Sequence, residues 1–220
     1  MRSIRKLEVI RTVGEVGVIG IIRTPDTDAA VEMGRAMIDG GVKILEVSLT
    51  YPGSLDAIRG IRKENAGKDF ILGAGTVGDA PSARMSILEG TEFIVCHCLS
   101  EDVIRMCNRY SVACVPGIQT VTEAMKALEL GCSVVKAFPG SVLGPKFIKA
   151  IHGPVPYVEV IPVGGVPLDN LDGWFGAGAY AVGLGSALTK EGGRDASYEE
   201  VLGKCRNTMD KIAAIRGSMK

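Results

Sequence analysis

Short apolar runs alternate with longer amphipathic stretches along most of the chain. The runs are about five to eight residues long, are rich in β-branched residues and are bounded by Gly, Pro or Asp, which is typical of buried strands. The predicted strands are VIGIIR (18–23), ILEVSLT (44–50), FILGAGT (70–76), FIVCHC (93–98), ACVPG (113–117), VVKAFP (134–139), VEVIPVGG (158–165) and AYAVGLGS (179–186).

The stretches between these strands have helical periodicity. After the first strand, Ala30, Met33 and Met37 recur on one face, which predicts an amphipathic helix over 26–41. The stretch 120–131 has a threonine at its start and a glycine at its end, the residues that favour the two ends of a helix.

Eight predicted βα units follow one another without a linker or a shift in composition, which predicts a single-domain (β/α)8 TIM barrel. A doubly wound open sheet is the alternative, because apolar strands fit any parallel sheet that is covered on both faces. Eight repeats, and the absence of an early Gly-x-Gly-x-x-Gly turn, favour the barrel. We expect one domain over 1–220, with a helical N-terminal extension (1–16) and a C-terminal helix (197–216).

Composition narrows the class of protein. The chain has 220 residues, 46% of them apolar, which is enough for one sizeable core. Lys and Arg balance Asp and Glu at 25 each, so bulk charge predicts no nucleic-acid or anionic-membrane partner. No apolar run approaches the about 20 residues that span a bilayer. Six cysteines without Cys-x-x-Cys spacing are typical of reduced thiols, and we expect a cytoplasmic protein.

The active site of a barrel enzyme lies at the C-terminal ends of its strands. Four polar residues fall at or near those ends: Arg23 on the first strand, Glu46 on the second, Thr76 on the third and Lys136 on the sixth. We therefore take these four as candidate site residues.

Lys136 is unusual because it interrupts an apolar run, where an isolated charge is unfavourable. Strands two and six face each other across an eight-stranded barrel, so Glu46 can meet it inside. A desolvated lysine is a usable nucleophile toward carbonyls, and a nearby carboxylate can move protons. The same pair could instead be an ion pair that braces the barrel, and the pattern alone leaves both interpretations open.

Gly164-Gly165 and Gly185-Ser186 follow strands seven and eight, where barrels commonly bind phosphate. Glycines let backbone N–H groups approach an anion, and a serine hydroxyl can donate as well. The alternative is ordinary turn chemistry. Two such turns on these two strands favour a phosphate site.

The motif Cys96-His97-Cys98 raises the possibility of a metal site. Strand alternation would place the two cysteines on one face and His97 on the other, so the three side chains would not converge. No second ligand pair with zinc-like spacing follows. We therefore expect neither a metal nor another cofactor.

The chain resembles the 2-keto-3-deoxy-6-phosphogluconate (KDPG) and 4-hydroxy-2-oxoglutarate (KHG) aldolases. The resemblance runs in order through nearly all of 18–190, which makes it more specific than any single motif. The matching segments are GGVKILEVSLT (40–50), LGAGTV (72–77), VPGIQTVTEAMKALELG (115–131), VVKAFPGSVLGPKFIKAIHGP (134–154) and PVGGVPLDNLDGWFGAGAYAVGLGS (162–186).

The resemblance implies a metal-independent class I aldolase on a (β/α)8 barrel, with Lys136 as the Schiff-base lysine and Glu46 as general acid/base. It implies that Arg23 and Thr76 hold the substrate, and that the residues after strands seven and eight take its phosphate: Gly164, Gly165, Gly185 and Ser186. It also implies a homotrimer and a role in Entner–Doudoroff carbohydrate metabolism.

Three positions depart from the family pattern and bear on substrate choice. Thr50 stands where many gluconate-type members have an arginine. Cys96-His97 replaces the usual Ser-Pro pair, and Val163 replaces a threonine before the two glycines. We take Thr50 and Val163 as further candidate substrate contacts.

The expected reaction is cleavage of 2-keto-3-deoxy-6-phosphogluconate to pyruvate and glyceraldehyde 3-phosphate. The 6-phosphogalactonate epimer or 4-hydroxy-2-oxoglutarate is the alternative main substrate. A phosphate-binding isomerase or epimerase on the same barrel is more remote, because it needs a carboxylate pair or metal-binding histidines at the strand ends. The chain has only two histidines, and neither is well placed for that role. A catalytically silent sugar-phosphate binder is disfavoured by the buried lysine.

Overall fold

The computed structural model describes residues 4–218; residues 1–3 and 219–220, which belong to the predicted span 1–220, lie outside this range. The helices are α1 (Arg5–Val16), α2 (Thr27–Asp39), α3 (Ser54–Glu64), α4 (Ala80–Leu88), α5 (Glu101–Arg109), α6 (Val121–Glu129), α7 (Gly140–Ile151), α8 (Leu171–Gly176), α9 (Ser186–Thr189) and α10 (Tyr198–Ser218), with a 3-10 turn at Leu168–Asn170. The strands are β1 (Val18–Ile22), β2 (Ile44–Ser48), β3 (Ile71–Gly75), β4 (Phe93–Val95), β5 (Ala113–Val115), β6 (Gly117–Ile118), β7 (Val134–Ala137), β8 (Glu159–Pro162), β9 (Val182–Leu184), β10 (Lys190–Glu191) and β11 (Arg194–Asp195).

The strands form a curled parallel sheet of six, in the order β5-β4-β3-β2-β1-β9, and a parallel sheet of three, in the order β6-β7-β8. A single parallel bridge between Val163 and Gly183 links the end of β8 to β9. The short strands β10 and β11 form a separate antiparallel hairpin.

The predicted alternation of strands and helices is confirmed, because every predicted strand contains an observed one. The fifth predicted strand differs in being split into β5 and β6 at Pro116, which has no N–H to donate to a neighbour. The Pro116 carbonyl still accepts a hydrogen bond of 2.8 Å from the Lys136 N–H. The two parallel sheets therefore meet at this proline.

The strands are buried on both faces, which explains their continuous apolar sequences. An inner apolar cluster includes Ile21, Ile44 and Phe93, and Val9 and Val13 of α1 pack into it. A larger outer cluster fills the space between the strands and the surrounding helices. The helix α1 thus covers the N-terminal ends of the strands, and the C-terminal ends stay open.

Helix ends follow the capping residues of the sequence. The Asp26 carboxylate accepts hydrogen bonds from the N–H groups of Asp28 and Ala29 at the start of α2. The Thr120 hydroxyl accepts from the N–H of Glu123 at the start of α6, as its threonine predicted. Among residues 4–218, no helix has both the length and the apolar character needed to cross a membrane.

Candidate active site

Glu46 and Lys136 both lie in the interior, on β2 and β7, and each is only 1% exposed. A glycine on the neighbouring strand leaves the space that Glu46 needs. A Cβ atom on Gly75 of β3 would lie 1.5 Å from Glu46 Oε1, so the carboxyl group occupies the position of the missing side chain. Gly117 on β6 is the register partner of Lys136, and a Cβ atom there would lie 2.5 Å from the backbone carbonyl carbon of His97. The sequence therefore brings an amine and a carboxyl group into one water-poor interior.

Burial shifts the pKa values of both groups in the direction that favours their neutral forms. Desolvation lowers the pKa of Lys136; the negative charge of Glu46 opposes this shift, and the positive charge of Arg23 adds to it. Desolvation raises the pKa of Glu46, and the charges of Lys136 and Arg23 oppose that shift. Glu46 Oε1 has no hydrogen-bond partner in the part of the chain that the structure describes. Among the described residues, no donor therefore holds this oxygen in place.

Arg23 reaches across the ends of the neighbouring strands. Its Nε donates to Ser48 Oγ and its Nη2 to Thr76 Oγ1, both at 3.4 Å. Thr76 directly follows β3 and has a φ of +58°, a left-handed conformation that is uncommon for a threonine. Ser48 is buried two residues after Glu46 on the same face of β2. The sequence predicted Arg23 and Thr76, but not Ser48.

Phe138 connects the buried lysine to the open end of the strands. The Lys136 Nζ atom lies 4.8 Å from the centroid of its ring. A Cβ atom on Gly164 would lie 3.0 Å from the ring carbon Cε2, so the same ring packs against the loop after β8. Phe138 directly follows β7, and the sequence analysis did not identify it as a site residue.

A cavity of about 210 Å³ opens at the C-terminal ends of β8 and β9. Six of the predicted site residues line it: Arg23, Val163, Gly164, Gly165, Gly185 and Ser186. The two glycines after β8 have φ values of +83° and +71°, which favour glycine over any residue with a side chain. Phe138 also contributes to the lining.

The remaining predicted residues lie outside this lining. Glu46 and Lys136 are buried in the interior, and Thr76 is linked to the lining through the hydrogen bond that it accepts from Arg23. Thr50 is exposed in the turn after β2 and does not line the cavity. Its position explains little about substrate choice, whereas Val163 is 7% exposed and faces the cavity directly.

The arrangement predicted for Cys96-His97-Cys98 is wrong in one respect. The strand β4 ends at Val95, so strand alternation does not extend through the motif. Cys96 is fully buried and Cys98 is exposed, which places the two thiols in different surroundings rather than on one face. Within residues 4–218, no three His, Cys, Asp or Glu side chains are grouped as metal ligands.

Comparison with known proteins gives the family. The family model described as KDPG and KHG aldolase matches residues 9–202. The 2-dehydro-3-deoxy-phosphogluconate aldolase of Treponema pallidum is 35% identical over 75% of this chain and 78% of its own. The 2-dehydro-3-deoxy-6-phosphogalactonate aldolase of Escherichia coli K12 is 36% identical over 79% of this chain and 85% of its own. A solved structure described as native KDPGal superposes with a TM-score of 0.83 at 32% identity, over 91% of this chain and 96% of that one. The chain belongs to the KDPG and KHG aldolase family.

Proposed function

We propose that this chain is a class I, Schiff-base aldolase that cleaves 2-keto-3-deoxy-6-phosphogluconate to pyruvate and glyceraldehyde 3-phosphate. The observation that carries the proposal is the burial of Lys136 beside Glu46, with the pKa of the lysine lowered by desolvation. A neutral amine is the form that attacks a carbonyl carbon. A buried lysine held only to brace the barrel would be expected to make a close ion pair, whereas Glu46 Oε1 has no hydrogen-bond partner among residues 4–218.

The reaction begins at the keto carbon. The lone pair of Lys136 Nζ adds to C2 of the substrate, and the carbinolamine loses water, assisted by the proton of Glu46, to give a protonated imine. Glu46 then removes the proton of the C4 hydroxyl group, the C3–C4 bond breaks and its electrons move to the imine nitrogen. Glyceraldehyde 3-phosphate leaves, and pyruvate remains on Lys136 as an enamine.

The second half returns the enzyme to its starting state. The protonated Glu46 delivers its proton to C3 of the enamine, and water hydrolyses the resulting imine to release pyruvate and the free amine. The imine nitrogen is the electron sink throughout, so the residues named here complete the reaction without a metal or cofactor.

The substrate would lie along the line from the interior to the cavity. Arg23, positioned by Ser48 and Thr76, is a cation whose charge acts on both Lys136 and Glu46, and we assign it to the substrate carboxylate. The turns after β8 and β9 are assigned to the phosphate: Gly164, Gly165, Gly185 and Ser186. Val163 then contacts the middle of the substrate, and Thr50 stays a peripheral candidate.

A second candidate substrate is the 6-phosphogalactonate epimer, and 4-hydroxy-2-oxoglutarate is a third. Val163 is the observation that favours these alternatives. It lines the cavity, and its side chain offers no hydrogen-bond donor to a substrate hydroxyl group. The similarity to a relative named for the galactonate substrate agrees with it. We therefore propose that both epimers are cleaved.

Borohydride reduction in the presence of pyruvate tests the proposal. Wild-type protein and the variant Lys146→Ala, which removes an exposed lysine of α7, should each gain the mass of one reduced pyruvate adduct. Lys136→Ala should gain none. Glu46→Gln should still be trapped, while exchange of the pyruvate methyl protons slows by about 10². An adduct on another lysine, or exchange at the wild-type rate in Glu46→Gln, would contradict these assignments.

We also infer one domain over 1–220 whose strands close into a full eight-stranded barrel. The Val163–Gly183 bridge and the Pro116 hydrogen bond support closure. A homotrimer is proposed as well, because several large apolar side chains on α4, α6 and α7 are exposed: Met85, Leu88, Val121, Met125 and Val142. Light scattering coupled to gel filtration gives the oligomeric state. A cytoplasmic location and the Entner–Doudoroff role remain proposals, which fractionation and growth on gluconate test.

A further inference from the structure

The hairpin β10–β11 begins at the cavity assigned above to the substrate phosphate. Its first residue, Lys190, directly follows α9 and has an extended backbone, with φ −120° and ψ 144°. Lys190 lines the same cavity as Ser186, four residues earlier. The hairpin is thus the continuation of the turn after β9.

The cavity lining carries positive charge at two places. Among the described residues that line it, the charged side chains are Arg23 and Lys190, and no carboxylate is present. Arg23 extends toward β2 and β3, where it contacts Ser48 and Thr76. Lys190 is therefore the cation on the side of β9, where Gly185 and Ser186 lie.

The Lys190 ammonium group is held by an exchangeable partner. It donates a hydrogen bond to Asp195 Oδ1, and the two residues are register partners across the hairpin. Both side chains are 41% exposed, and an ion pair this accessible to water is weak. A phosphate dianion offers more charge and three acceptor oxygens.

The backbone at Lys190 is held by hydrogen bonds, although the ammonium group of its side chain can exchange its ion-pair partner. Lys204 of α10 donates to the Lys190 carbonyl and makes an ion pair of 2.7 Å with Glu191. Next to the Lys190–Asp195 pair, at the base of the hairpin, the Ala196 N–H donates to the Thr189 carbonyl at 2.9 Å. The hairpin therefore presents the ammonium group from an anchored base.

We propose that Lys190 is a further phosphate-binding residue, which exchanges the Asp195 carboxylate for the phosphate of the substrate. This inference rests on the proposed function, because it takes the cavity as the phosphate site. Backbone N–H groups at the glycine turns orient the phosphate but carry no net charge, and Lys190 supplies the charge on that side. Asp195 holds the ammonium group in place until the phosphate binds. The Asp195 carboxylate therefore competes with the phosphate for the ammonium group.

The test compares two Lys–Asp pairs at opposite ends of the strands. Lys190→Met and Asp195→Asn change the proposed pair. Lys43→Met and Asp69→Asn change a matched exposed pair, 2.8 Å apart, which precedes β2 and β3. Each protein is assayed with the phosphorylated keto acid and with 4-hydroxy-2-oxoglutarate, and its Kd for inorganic phosphate is measured by calorimetry.

Lys190→Met should raise both the KM for the phosphorylated substrate and the Kd for inorganic phosphate about tenfold, since a charge-assisted hydrogen bond is lost. Its kcat and its KM for 4-hydroxy-2-oxoglutarate should stay within about twofold. Asp195→Asn should lower the KM for the phosphorylated substrate, because the competing carboxylate is gone. The Lys43 and Asp69 variants should match wild-type protein.

An unchanged phosphate Kd in Lys190→Met would overturn the inference, as would an equal rise of KM for both substrates or a higher phosphate KM in Asp195→Asn. Failure of the proposed function looks different. Wild-type protein would then bind phosphate with Lys190-dependent affinity, yet neither cleave the phosphorylated substrate nor form a pyruvate adduct. If Lys190→Met does not fold, Asp195→Asn, which retains the lysine, decides the question on phosphate Kd.

Discussion

The carboxyl group of Glu46 occupies the space that a side chain on Gly75 would fill, with Oε1 1.5 Å from the position of the absent Cβ atom. Glu46 lies on β2 and Gly75 on the neighbouring strand β3, so the glycine is part of the site although it carries no chemical group. Its backbone conformation is not left-handed, and only this close approach explains why the position has no side chain.

Gly75→Ala should therefore displace Glu46 and lower kcat strongly, while pyruvate trapping on Lys136 persists. The matched control is Gly203→Ala in α10, where an added Cβ atom meets nothing within 4 Å. That change should leave turnover intact and stabilise the protein by up to about 1 kcal/mol, because alanine has the higher helix propensity. Steady-state kinetics and urea unfolding of both variants give the comparison. Wild-type kcat in Gly75→Ala would show that the carboxyl position is not critical.

Arg23 should set the pH at which Lys136 becomes reactive. Its positive charge adds to the lowering of the Lys136 pKa that desolvation causes. Removing that charge in Arg23→Gln stabilises the ammonium form, so the pKa of Lys136 rises. The rate of imine formation increases with pH as the amine loses its proton, and the midpoint of that increase should move to higher pH in the variant. Trapping rates at saturating pyruvate between pH 5 and 10 measure the midpoint; a shift to lower pH contradicts the assigned electrostatic contact.

Much of the fold and part of the site could be predicted from the sequence because burial leaves a readable pattern. Continuous apolar runs follow from strands covered on both faces, and Lys136 is conspicuous because it breaks such a run. Phe138 and Ser48 could not be identified this way, since a phenylalanine and a serine at a strand end are ordinary. The importance of Gly75 depends on a side chain from another strand. Lys190 was missed because its nearness to the cavity depends on how the chain turns after α9.

Arg216 should be the residue that joins α10 to the closed end of the strands. Its guanidinium group donates to the carbonyls of Gly14 at 2.6 Å and Tyr180 at 3.2 Å, and it lies 5.3 Å from the Phe175 ring centroid. Arg216→Met removes these hydrogen bonds and leaves carbonyls unpaired, so we expect a loss of about 2 kcal/mol in the free energy of unfolding.

Arg206→Met, at an exposed position of the same helix, is the control and should change stability by less than about 0.5 kcal/mol. Urea denaturation of the two variants and wild-type protein tests the difference. Equal stability of the two variants would show that the hydrogen bonds of Arg216 do not stabilise the fold. Neither change should affect KM, because Arg216 lies at the opposite end of the strands from the cavity.

Val163 should determine how strictly the enzyme reads the configuration at carbon 4. It is 7% exposed in the cavity lining, just before the two glycines. Its methyl group Cγ2 lies 2.6 Å from the position that a Cβ atom on Gly183 would take, so it fills the space that this glycine leaves. Threonine has nearly the same shape and adds a hydroxyl that can meet a substrate hydroxyl. A site without a donor discriminates weakly between hydroxyl configurations, whereas a built donor discriminates strongly.

Wild-type protein should thus cleave both 6-phospho epimers with kcat/KM values within about a hundredfold of each other. Val163→Thr should shift that ratio toward the gluconate epimer, and Val163→Ile, which adds no donor, should not. Cleavage of both epimers by all three proteins, followed through coupled pyruvate reduction, measures the ratios. Strict gluconate specificity of the wild-type protein would show that a residue other than Val163 recognises the hydroxyl configuration at carbon 4.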